Sequence, residues 1–212
     1  MTFDITPEEA RQQIKHQLVR ECLGSEYIKL NLTNKLQVIE DTESSTTSIV
    51  CDIQSNDEII SIEGSGNGPI DAFYLSLSQK LSEEYCSLSN FHFLEFGIRA
   101  DLLKRNRRNW SGSDAYVEAV LVVRNDDGND FVFRSVRQSV INASLSVALV
   151  AIEYLVNLER AVIQVHRAIK DAKKRKRSDI VSSHTMKMIQ LVDRGAYGDT
   201  IRKQRELDDD SE

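Results

Sequence analysis

The stretch Gly64-Ser65-Gly66-Asn67-Gly68-Pro69-Ile70-Asp71-Ala72 decides how the rest of the chain is read. Before it, Ile59-Ile60-Ser61-Ile62 has strand composition and follows the polar turn Gln54-Ser55-Asn56-Asp57. After it, Ala72, Phe73, Leu75, Leu77 and Leu81 return at helical spacing. The order is strand, glycine-rich turn, helix. Such a turn can present main-chain amides to an anion while the helix N-terminus adds partial positive charge, so a carboxylate suits it as well as a phosphate. The stretch lacks the lysine and the serine or threonine of a nucleotide P-loop, and its glycines do not follow the dinucleotide fingerprint. A purely structural tight turn, with glycine supplying positive φ, is the other reading.

Working outward, residues 36–40 and 47–53 alternate as strands, the second with Ile49, Cys51 and Ile53 on one side. A similar order recurs later: a strand over 116–124, the turn Asn125-Asp126-Asp127-Gly128-Asn129, a strand over 131–136 and a helix starting near Ser139. Two strand-rich units, each ending in a helix and about 70 residues apart, predict an α+β fold with an internal pseudo-repeat. Upstream, Thr6-Pro7-Glu8-Glu9 reads as a capped helix start. Ala10, Ile14, Leu18 and Cys22 follow as an apolar stripe, widened by Val19 and Leu23, and Gly24 supplies the stop.

The helix after Ser139 carries Ala148, Ala151, Leu155, Leu158, Val162, Val165 and Ile169 in alternating steps of three and four, a seam that predicts a partner helix. The candidates for that partner are a symmetry mate, a catalytic subunit or the short helix after Ser178, with Val181, Met188, Ile189 and Val192. Between them lies Lys173-Lys174-Arg175-Lys176-Arg177, whose charges suit a helix C-terminus. Lys104-Arg105-Asn106-Arg107-Arg108-Asn109-Trp110 is a second basic cluster, with an aromatic suited to stacking.

With 212 residues, 41% hydrophobic and 28% charged, the composition is that of a globular protein with a buried core. A net charge of -6 excludes attraction of the whole surface to nucleic acid or anionic lipid. Cys22, Cys51 and Cys86 form neither a disulfide framework nor a zinc pattern, which predicts a reducing, cytoplasmic setting. The most apolar stretch, 145–158, contains Glu153 and Asn157 and is too short to span a bilayer, so no membrane partner is expected. His16, His92, His166 and His184 are isolated from one another in sequence, and no metal or other cofactor is expected.

Three segments together carry a family resemblance: the opening stretch, then Ala115-Tyr116-Val117-Glu118-Ala119, then Ser139-Val140-Ile141-Asn142-Ala143-Ser144. In order and spacing they resemble the successive signatures of the C-terminal regulatory domain of 2-isopropylmalate synthases. The resemblance implies two strand-strand-strand-helix units that form a homodimer and bind a free branched-chain amino acid, leucine above all, near the dimer interface. Carried onto this chain, Gly64, Gly66, Asn67, Gly68 and Pro69 shape the pocket wall, and Asp71 and Ala72 open the helix. Ser139, Ile141, Ala143 and Ser144 do the corresponding work in the second unit, and Ile70, Phe73 or Ile141 lines the apolar part.

The sequence also departs from that family. Its second unit reads Phe133-Arg134-Ser135 where the family has a glycine-bearing strand end, with Arg137-Gln138 before Ser139, and Trp110-Ser111-Gly112-Ser113-Asp114 replaces a run of small residues. Larger side chains there are expected to fill the second pocket. The family's metal-dependent barrel needs about 200 residues, so this chain is read as non-catalytic, acting on a separate catalytic synthase chain in trans. The competing readings are a dimeric adaptor with a degenerate pocket and a nucleic-acid-associated protein using its basic clusters. The expected division is a helical linker-like segment at 1–35, the regulatory and dimerisation domain at 36–160, a helical extension at 161–194 and a disordered acidic tail at 195–212.

Overall fold

The computed structural model describes residues 6–101 and 116–192. The basic cluster 104–110, the run 110–114 and the tail 195–212 lie outside the described residues. The first helix, α1 (Pro7–Leu23), begins as its sequence dictates. Thr6 Oγ1 accepts the Glu9 amide at 3.2 Å while Glu9 Oε2 accepts the Thr6 amide at 2.9 Å, and Gly24 ends the helix at φ 54°. Leu18, Val19 and Leu23 of its expected stripe are buried, but Ile14 is 69% exposed.

Strands β1 (Leu30–Asp41), β2 (Thr46–Ser55) and β3 (Glu58–Gly66) form an antiparallel sheet in that order, followed by α2 (Pro69–Ser82). A short 3-10 turn (Cys86–Asn90) leads into β4 (Phe91–Asp101), β5 (Tyr116–Asn125) and β6 (Asp130–Arg137), a second antiparallel sheet, and then α3 (Val140–Lys174). The two units predicted from the sequence are therefore present, each as three strands and a helix. β1 already begins at Leu30, inside the stretch assigned to the linker-like segment, and α3 runs unbroken through residue 160.

The inner faces follow the strand alternation. Ile49, Cys51 and Ile53 of β2 and Ala119, Leu121 and Val123 of β5 are fully buried. Helix α2 packs on β2 and β3, α3 packs on β5 and β6 and also touches β1, and the two helices pack on each other. Helix α3 is long and apolar enough by length and composition to cross a membrane, but two thirds of its apolar window lies inside the fold (67%), so that character goes to the core. The one strand missing from the sequence reading is β4. A bulge between Phe93 and Glu95 leaves Leu94 as an extra residue and breaks the period-two signal there.

The helical seam finds its partner within the chain. Val162 is fully buried and Val165 nearly so, and α4 (Ser178–Leu191) folds back on α3 and touches α1, with Leu191 fully buried. Ile189, expected on the buried face of α4, is 64% exposed instead, while Met188 and Val192 pack on the core. Ser178 opens α4 without capping it. The turn before it is a Schellman motif, in which the Arg177 amide bonds Ala172 O at 2.9 Å, the Lys176 amide bonds Lys173 O at 3.1 Å, and Lys176 takes φ 54°.

Candidate functional site

Across the second sheet Phe96 pairs with Leu121 and Leu121 with Phe133, while Ile98 pairs with Ala119 and Ala119 with Ser135. Directly opposed residues share a face, so all of these belong to the core side. Yet Phe96 is 39% and Ile98 46% exposed, while Leu121 and Ala119 are fully buried. The core face thus continues onto the edge strand β4, beyond the cover that α3 provides.

That uncovered strip is one wall of a cleft of about 550 Å³. Asn67, Gly68, Pro69, Ile70 and Asp71 at the start of α2 form a second wall, and Val140, Ile141 and Ser144 at the start of α3 a third. Phe93, Leu94, Glu95, Phe96 and Ile98 come from β4, and Glu40 from the end of β1. The fold therefore brings the glycine-rich turn of the first unit and the helix start of the second to one concavity, although they lie far apart in the chain.

The remaining residues singled out from the sequence stand behind that surface. Gly64 and Gly66 let β3 approach α2: a Cβ on Gly64 would meet Ser76 Oγ, and one on Gly66 would sit 2.6 Å from the Ala72 amide nitrogen. Gly68 has φ 157° and ψ 168°, a region essentially reserved for glycine. Ala72, Ala143 and Phe73 are fully buried in the core, so Phe73 does not line the cleft. Ser139 caps α3 by accepting the Asn142 amide at 3.4 Å. The lining residues that sequence reasoning missed are Val140, Glu40 and those of β4. The only signal for the last group is a period of two over Leu94, Phe96 and Ile98.

The two helix starts differ electrostatically. At α2 the Asp71 carboxylate already accepts the Asn67 amide at 3.0 Å, so the helix supplies its own anion. The first turn of α3 has no acidic residue. The leading amides of any helix lack an intrahelical acceptor, and here Val140 and Ile141 carry them at the cleft wall. The cleft combines an apolar lining, the positive end of one long helix, and the carboxylates of Glu40, Asp71 and Glu95.

Of the larger side chains expected to fill the second pocket, Phe133, Arg134 and Arg137 do not line this cleft, and Trp110 lies outside the described residues. Phe133 turns into the core, its ring centroid 5.6 Å from that of Tyr154. Arg134 lies on the other face of the sheet, opposite Val120, and reaches Glu9 at 2.8 Å and Glu118 at 3.5 Å. Arg137 is exposed and bonds the Val136 carbonyl at 2.9 Å.

A smaller cavity of about 240 Å³ lies where α1, β6 and α3 meet, beside Glu9, His16, Tyr27, Arg134, Val150 and Glu153. Polar groups in it and nearby tie elements together. Tyr27 OH donates to Glu153 Oε1 at 3.0 Å, the Leu30 amide donates to Glu153 Oε2 at 2.9 Å, and Asn157 pairs with both main-chain groups of Ile28. Burial pushes the Cys51 thiol up to about 11 and raises that of Cys22, which makes both poor nucleophiles. Among the described residues no three His, Cys, Asp or Glu side chains converge as a metal site would require.

Residues 5–156 match the LeuA allosteric (dimerisation) domain family, a span from α1 to the middle of α3. No curated protein matches the chain.

Proposed function

The chain belongs to the LeuA allosteric (dimerisation) domain family, and on that premise we propose that its regulatory, dimerising role is exercised at the cleft between the two units. A second copy covers the apolar strip of β4, and a free branched-chain amino acid, leucine above all, sits in the space between. The observation that carries this reading is the convergence of the α2 turn and the α3 start on one apolar concavity. A volume of about 550 Å³ exceeds what one small amino acid fills, which leaves room for side chains of a partner copy.

The charges suggest how the ligand lies. Its carboxylate faces the amides of Val140 and Ile141, where the chain offers no acid of its own, and its ammonium group faces Asp71, Glu40 or Glu95. Its side chain lies on Ile70, Phe93 and Phe96. In this reading the chain is non-catalytic and acts on a catalytic synthase chain in trans. A ligand that favours one arrangement of the pair shifts that equilibrium by its difference in affinity, and this couples occupancy to activity.

A thermal-shift series against the twenty amino acids tests the sensor, because a ligand that binds only the native state raises stability with the logarithm of its concentration. Leucine, isoleucine or valine should raise the melting temperature in that manner, and Ile141→Glu should abolish the rise. A flat response to all three overturns the sensor and leaves a dimeric adaptor.

A further inference from the structure

The helical hairpin beyond the family match differs in charge from the rest of the molecule. Residues 157–192 carry nine Lys and Arg against three Asp and Glu, in a chain whose net charge is -6. The three acids are already engaged. Glu159 is buried and accepts the Ser87 amide at 3.1 Å and the Ser87 hydroxyl at 2.6 Å, Asp171 pairs with Arg175 at 3.0 Å, and Asp179 with Arg177 at 3.2 Å. Lys173, Lys174 and Lys176 are exposed at the turn, and among the described residues neither Lys173 nor Lys176 has an ion-pair partner. The Schellman geometry fixes this turn, so the charges are presented by a defined backbone.

The same chain contains the complementary sequence. Glu206-Leu207-Asp208-Asp209-Asp210-Ser211-Glu212 holds five carboxylates and no cation, and residues 193–205 join it to the end of α4. A connection of that length can reach about 40 Å, whereas α4 separates its own end from the basic turn by about 20 Å. Tethering raises the effective concentration of the segment to the millimolar range. At physiological salt, charges interact over about 8 Å, so attraction of this kind requires actual docking.

We propose that the acidic segment 206–212 docks on the basic turn 173–177 of the same chain and neutralises it. The docked segment keeps other polyanions off this basic turn. Zero-length carbodiimide cross-linking of the full chain, with isotopically labelled and unlabelled copies mixed, tests this by mass spectrometry. Carboxylates of 206–212 should couple to Lys173, Lys174 and Lys176 several-fold more than to Lys15, Lys29, Lys35 and Lys80. They should do so within one isotopic species and lose the preference near 1 M salt, where the screening length falls to about 3 Å. An even spread over all lysines, a preference that survives high salt, or coupling only between labelled and unlabelled chains each overturns the proposal. Deleting residues 206–212 should also raise the acetylation rate of Lys173 and Lys176 several-fold, and an unchanged rate overturns it as well.

Discussion

Arg134 of β6 and Glu9 of α1, 125 positions apart in the chain, meet at 2.8 Å through Nε and Oε1. The other oxygen of that carboxylate closes the capping box of α1. Accepting the Thr6 amide, aided by the neighbouring guanidinium, holds the Glu9 carboxyl below its ordinary value even though burial opposes this. One side chain therefore both starts the helix and fastens it to the second sheet. Glu9→Ala should cost about 1–2 kcal/mol, because it removes a cap contact and an ion-pair partner together. Arg134→Ala, at a site more than a third exposed, should cost about 0.5–1 kcal/mol. Denaturant midpoints in the reverse order would show that the cap contributes little.

Gly66 should be the least replaceable glycine of the opening motif. The new methyl of Gly66→Ala would meet main-chain atoms of α2, which cannot rotate away, and the expected loss is about 2–4 kcal/mol. Gly68→Ala meets nothing within 4 Å and should lose only the backbone cost, about 1–3 kcal/mol. A smaller loss for Gly66→Ala than for Gly68→Ala in chemical denaturation would argue against the close approach of β3 to α2.

Val162→Ala and Phe96→Asp separate stability from assembly. The first opens space in the core and should cost about 2 kcal/mol while leaving self-association unchanged. The second removes a ring on the core side of the sheet that is still more than half buried, so it should also cost about 1–2 kcal/mol, but it alone should weaken the proposed self-association. Sedimentation equilibrium beside denaturation checks both, and an intact dimer in Phe96→Asp would remove the β4 strip from the interface.

His16 makes stability depend on pH. Burial, then repulsion by Arg20, lowers its imidazole from the ordinary value of 6.5, against the pull of Glu153. As pH falls, the unfolded chain therefore takes up this proton first. The contribution is complete above about 6.5 and declines below it as pH drops through the folded-state value. His16→Gln should flatten the fall in melting temperature between about pH 7.5 and about 5.5, a range above the usual carboxylate titrations. Parallel slopes in the two proteins would contradict this.

Lys176→Gly should raise stability by about 1 kcal/mol, since glycine adopts the left-handed conformation of this turn without the Cβ penalty. A lowered melting temperature would mean that the lysine stem contributes packing that outweighs the strain.

The parts of the fold that rest on local chemistry were legible in the sequence. Thr6, Pro7 and Glu9 announce α1, and the alternation of Ile49, Cys51 and Ile53 announces β2. The turn at residues 64–69 and the cap at Ser139 mark the two helix starts. The cleft was legible only in part. Phe96 and Phe133 have the same chemistry and share a sheet face, and only the reach of α3 leaves one exposed and the other buried, a tertiary fact with no local signature. Arg134 reads as a side chain that would fill a pocket, but strand parity sends it to the opposite face, and the strand's register cannot be fixed from a sequence that conceals β4. In the sequence Gly64 and Gly66 read as part of a ligand turn or of a purely structural tight turn, and the close approach of β3 to α2, where a Cβ would meet Ser76 or Ala72, is a tertiary fact that neither reading contained.

Because α3 is a single unbroken helix of 35 residues, it is a rod about 50 Å long with the cleft at one end and the basic turn at the other. Both ends of that rod are anchored in one continuous helix that packs on both sheets, so the cleft and the basic turn cannot shift relative to each other without repacking the core.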